Sequence, residues 1–67
     1  MALYVYVILF VDTADASKTY VHNKYFESMD EARTFLKDCG YLPSEGKYSS
    51  CFYDDNLRAY IEKVYRD

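Results

Sequence analysis

His22 and Cys51 are the first residues to test for chemistry, being the sole histidine and one of two cysteines. A nucleophile and its base must come within hydrogen-bond reach, and a third group must orient the base. The strand pattern described below puts the two residues on non-adjacent strands, with no third residue to orient His22. A structural or solvent-facing histidine is therefore expected. Cys39 and Cys51 match no zinc spacing and are too few for a disulfide framework. Cys39 falls on the apolar stripe of a helix and reads as a small core residue. Asp54-Asp55 in one turn and Asp12 with Asp15 in another could suggest a cation site. Hard cations need several convergent oxygens, and no calcium-loop spacing is present. The expected topology sets the two turns at opposite ends of the sheet, and ordinary turn chemistry accounts for all four residues. With Gly40 and Gly46 as its only glycines, the chain holds no phosphate-cradling loop. A non-enzymatic protein without metal or cofactor is expected.

The elements that would position these residues must come from one small domain spanning residues 1–67. A chain of this length buries only about 60% of the surface its unfolded form exposes. Its core supplies roughly 3–5 kcal/mol, so a partner chain is a natural expectation. The apolar share of 51% against 28% charged argues for a folded protein. Nine Tyr and four Phe, with no Trp, supply rings suited to half-buried surfaces and interfaces. Net charge is −3 and the eight basic residues are scattered singly, which disfavours direct nucleic-acid binding. The N-terminal run MALYVYVILFVD has no basic flank or cleavage site and stops at Asp12, short of a membrane span. A cytoplasmic protein that does not engage the membrane is expected.

Residues 2–11 are rich in β-branched and aromatic types and apolar on both alternating faces, which predicts a central strand. Residues 19–26 predict a second strand beyond a loop. Ser28 with Glu31 forms a capping box, and Ala32, Phe35, Leu36 and Cys39 make one helical stripe. Gly40 and Pro43 end that helix, which spans about 29–39. Residues 47–53 predict a third strand. Asp55-Asn56 then make a two-residue turn into residues 57–66, with Phe52 opposite Ala59. The last segment also fits a helix, since Leu57, Tyr60, Ile61 and Val64 share helical spacing. The expected fold is α+β and ββαββ, a four-stranded antiparallel sheet in the order 2-1-3-4 under one helix. The alternative is ββαβα.

One helix covers one face of such a sheet. Leu3, Val5, Val7, Leu9 and Val11 form an aliphatic set suited to lie beneath it. That leaves Tyr4, Tyr6, Ile8 and Phe10 uncovered, joined by Cys51, Tyr53, Arg58 and Tyr60. Such a patch exceeds what soluble monomers usually expose, and a partner, often a second copy, commonly covers it. Tyr on a solvated sheet face is also tolerable, because the rings support one another across strands.

The run Phe26-x-Ser28-x-x-Glu31-Ala32-x-x-Phe35-Leu36-x-x-x-Gly40-Tyr41 resembles the strand–helix junction of very small bacterial and phage accessory proteins. Phage inhibitors of host defence, anti-CRISPR proteins among them, share this ββαββ organisation. The resemblance implies a compact inhibitor of a host or bacterial protein, acting in the host cytoplasm if phage-encoded. The expected partner-binding residues are Tyr4, Tyr6, Phe10, Tyr53, Arg58 and Tyr60, with Asp54 and Asp55 on an acidic rim and a homodimer expected. Two other readings stand beside it. Lys24, Arg58 and Tyr rings could cradle a nucleotide in an oligomeric binder. Asp12, Asp15, Glu27, Asp54, Asp55 and Glu62 could imitate a nucleic-acid backbone.

Overall fold

The computed structural model describes residues 4–46 and 48–65. The protein is α+β: one helix on a five-stranded antiparallel sheet. The strands are β1 (Tyr4–Asp12), β2 (Tyr20–Val21), β3 (Leu42–Pro43), β4 (Cys51–Asp54) and β5 (Leu57–Tyr65). The helix, α1 (Met29–Asp38), lies between β2 and β3 in the chain, and a single 3-10 turn at Ala16–Lys18 precedes β2.

The sheet order is β2-β1-β5-β4-β3, not the expected four strands in the order 2-1-3-4. The last strand pairs with the first along nine residues, from Tyr4↔Tyr65 to Asp12↔Leu57. Length explains the exchange. β1 and β5 are the two nine-residue strands, and central pairing satisfies both their ladders, whereas the four residues of β4 could satisfy less than half of β1. Residues 57–65 are thus strand rather than helix. The hairpin before them turns on Asp55-Asn56 with Phe52 opposite Ala59, as expected.

Other expected strands are trimmed. Of residues 19–26, two are strand, with an isolated bridge joining Phe26 to Tyr6. Of 47–53, strand begins at Cys51; Lys47 lies outside the described residues, as do positions 2, 3 and 66, which were expected as strand ends. β3 was hidden by Pro43, which reads as a helix stop. On an edge strand its missing N–H faces no neighbour, so it pairs with Phe52 without loss.

The helix forms where its caps dictate. Ser28 Oγ accepts the Glu31 N–H at 3.2 Å. The Glu31 carboxylate reaches back to the Glu27 N–H at 3.4 Å, one residue earlier than an ideal capping box. At the far end Gly40 (φ 95°) donates to Lys37 O, and Tyr41 donates to Leu36 O, both at 3.0 Å. That pair of bonds is a Schellman ending. Cys39 is the last capping residue there and is exposed, so it is not core as expected. Met29 instead joins Ala32, Phe35 and Leu36 in facing the sheet.

The largest correction concerns which face the helix covers. The core is Ile8 and Phe10 of β1, Ala59 and Ile61 of β5, Phe52 of β4, and Phe26, Ala32 and Leu36, with Tyr6 and Tyr41 packed at its margin. The helix therefore lies on the Tyr6-Ile8-Phe10 side, the reverse of the expected arrangement. Both faces of β1 are apolar, so β1 alone does not choose. Its neighbour does: Ile8 and Phe10 stand opposite Ile61 and Ala59, while Val7 and Val11 stand opposite Glu62 and Arg58. Paired residues share a face, and charged side chains cannot lie unpaired under a helix.

Candidate functional site

The face away from α1 is built by alternation on strands whose other residues form the core. β1 contributes Val5, which is buried, and half-buried Val7, Leu9 and Val11, and β5 contributes Arg58, Tyr60, Glu62 and Val64. β4 adds Cys51 and Tyr53 beside Tyr60 and Arg58. Val21 extends the row at the β2 margin and Leu42 at the β3 margin, each 56% exposed. No helix packs on this side among the described residues. Tyr53, Tyr60 and Val64 are all more than a third exposed.

The expected site residues separate into four places. Tyr53, Arg58 and Tyr60 do lie together on the uncovered face, with the Arg58 guanidinium 5.9 Å from the Tyr53 ring centroid. Arg58 Nη1 donates to the carbonyls of Asp55 (2.8 Å) and Leu57 (3.0 Å), which holds the side chain toward the turn. Phe10 is core, stacked on Tyr20 at 5.3 Å and in ring contact with His22 and Tyr41. Tyr4 and Tyr6 lie on the helix side. There Tyr4 meets Tyr6 edge-on at 5.6 Å and Tyr65 at 6.0 Å, and Lys63 Nζ sits 3.9 Å over the Tyr4 ring. That geometry is a cation–π contact. Sequence reasoning missed Val7, Leu9, Val11, Val21, Leu42, Glu62 and Val64 as uncovered residues. The signal that could have found the face was the alternation of Arg58 and Glu62 with Ala59 and Ile61.

Asp54 and Asp55 occupy the β4–β5 turn, Asp55 with φ 54°. The loop after β1 lies at the same end of the sheet, not the opposite one. Thr13 donates to Asn56 O from both its N–H (2.8 Å) and its Oγ1 (2.7 Å). The carboxylates there serve their own backbone. Asp12 accepts the Ala14 N–H at 2.9 Å, and Asp15 accepts the Ser17 N–H and hydroxyl at 3.1 and 2.6 Å. Those two bonds hold the Asp15 carboxyl below its ordinary value. Among the described residues, no three His, Cys, Asp or Glu side chains converge as a metal site would need.

No known protein family, curated protein or solved structure matches the chain. Its own geometry is the ground for a functional reading. His22 and Cys51 sit on opposite faces of the sheet, His22 among Phe10, Phe26 and Phe35, so they form no nucleophile–base pair. A shallow depression of about 410 Å³ runs along Asp30, Glu31, Thr34, Phe35 and Asp38. Its three carboxylates would repel an anionic nucleotide. No helix among the described residues is long and apolar enough to cross a membrane.

Proposed function

We propose that the chain is a non-enzymatic protein-binding module that docks through its uncovered sheet face. The observation that supports this most is the combination of residues on that face. A row of Val and Leu on β1 lies beside half-exposed Tyr60 and Tyr53, and only the flanking positions are charged. Contiguous apolar surface of this kind marks protein contact sites. Tyr and Arg together are also what the centres of interfaces favour. Tyr4, Tyr6 and Phe10 drop out of the contact set; Val7, Leu9 and Val11 replace them.

Affinity capture tests the reading. A tagged chain, co-expressed with an untagged copy in bacteria, is recovered from nuclease-treated lysate. A stoichiometric protein should be retained, and Leu9→Glu should lose it while keeping the wild-type far-ultraviolet circular dichroism spectrum. Retention of no protein overturns the proposal. A second reading, acidic mimicry of nucleic acid, gains from the gathering of Asp12, Asp15, Asp54 and Asp55 at one end. A partner lost on neutralising Asp54 and Asp55, but kept by Leu9→Glu, would favour it.

A further inference from the structure

We infer that a second copy of the chain covers the uncovered face, in a dimer whose two-fold axis lies within the interface at the level of Tyr60 and runs across the strands. This rests on the reading of that face as a docking surface and names its occupant. Two copies meeting about a two-fold axis use the same patch, so the patch must complement itself. Among the described strand residues of this face, only Arg58 and Glu62 are charged. They have opposite signs and flank Tyr60 by two positions on the same strand.

The direction of the axis follows from those two charges. An axis along the strands would set Arg58 over its own copy and Glu62 over its own copy. An axis across them reverses β5 on β5 and sets each Arg58 over the other copy's Glu62. The same operation places Leu9 over Leu9 and Val7 over Val11, apolar against apolar. Sheets packed face to face lie about 10 Å apart and cross at about 30°, which keeps these pairs within side-chain reach. The two longer dimensions of the molecule are 38 and 27 Å. A face of that size offers on the order of 800 Å², the share a standard interface takes from each partner.

The competing site for a second copy is the β5 edge, where Glu62–Tyr65 extend past the last β4 pairing. Lys63 stands on that stretch with its ammonium held over Tyr4, and edge lysines oppose strand addition. The face is the better-matched surface.

Sedimentation equilibrium of the purified chain should return a dimer. Arg58→Glu and Glu62→Arg should each weaken dimerisation by about tenfold or more, because like charges then face each other. An equimolar mixture of the two variants should restore it, since every facing pair becomes Arg against Glu. That rescue excludes misfolding as the cause of either loss. In a Cys39→Ser background a short bismaleimide should join Cys51 to its own copy, which this axis sets face to face. A monomer at every soluble concentration overturns the inference. So does a dimer that the single reversals leave intact, that the mixture fails to restore, or that only Lys63→Pro dissociates. A monomer that still retains a lysate partner lost with Leu9→Glu overturns the second copy alone and leaves the docking surface standing.

Discussion

Arg33 is half-buried on α1 and ties the loop before β4 to the helix. Its Nη2 donates to Tyr48 O at 2.9 Å, its Nε to Ser49 O at 3.1 Å and its Nη1 to Asp30 at 3.2 Å. Ser49, buried beneath, accepts the Glu45 N–H at 2.6 Å. A lysine cannot reproduce that planar fork, so Arg33→Lys should cost about 1–2 kcal/mol, read as a lower denaturant midpoint. Two titrations belong to the same scale. The Tyr41 hydroxyl is held above the ordinary tyrosine value of 10.0 by burial first, then by the charges of Tyr20, Asp54 and Cys39. The folded state thus keeps that proton longer than the unfolded chain. Stability should fall as pH rises from 10.0 through the raised value, and Tyr41→Phe should remove this loss from alkaline melting curves. For Asp15 the sign is opposite. Its folded value lies below 3.8, so its contribution is present above 3.8 and lost as pH falls through the folded value. Ser17→Ala should move the Asp15 carboxyl back toward 3.8 in an NMR titration.

The helix is decided at its ends. Ser28→Ala removes the acceptor for the Glu31 N–H and should cost about 1 kcal/mol. Gly40→Ala should cost about 1–2 kcal/mol through the backbone alone, because φ is 95° and no atom lies within 4 Å of the added Cβ. In a domain this small each kcal/mol lowers the melting temperature by roughly 4–8 °C, so both losses are measurable by calorimetry. These end signals were legible in the sequence because they act over three or four residues. The β3 strand was not legible. Two residues carry no periodicity, and Pro43 is a strand residue only because the sheet happens to end there.

At the scale of the whole molecule, one thin core holds the fold. Phe52, Ile8 and Leu36 are its largest fully enclosed side chains. Phe52→Ala removes about 3–5 kcal/mol, comparable to everything such a core supplies, and should leave the chain unfolded by circular dichroism at 25 °C. Val21→Ser, on the open face, should fold normally. If the second copy covers that face, the melting temperature should rise with protein concentration, and Glu62→Arg should flatten the dependence.

The α+β class, the helix and both its caps, the Asp55-Asn56 turn and the grouping of Tyr53, Arg58 and Tyr60 on one face were legible in the sequence. Each follows from neighbours along the chain or from alternation within one hairpin. It took the tertiary structure to show that β5, not β4, lies against β1, that the two acidic turns share an end, and that Phe10 is core while Leu9 lies half-buried on the face away from the helix. β1 is apolar on both sides, and alternation specifies two faces without saying which is inside. Pairing with β5 settled it, by setting Arg58 and Glu62 beside Val11 and Val7 and so keeping that side away from the helix.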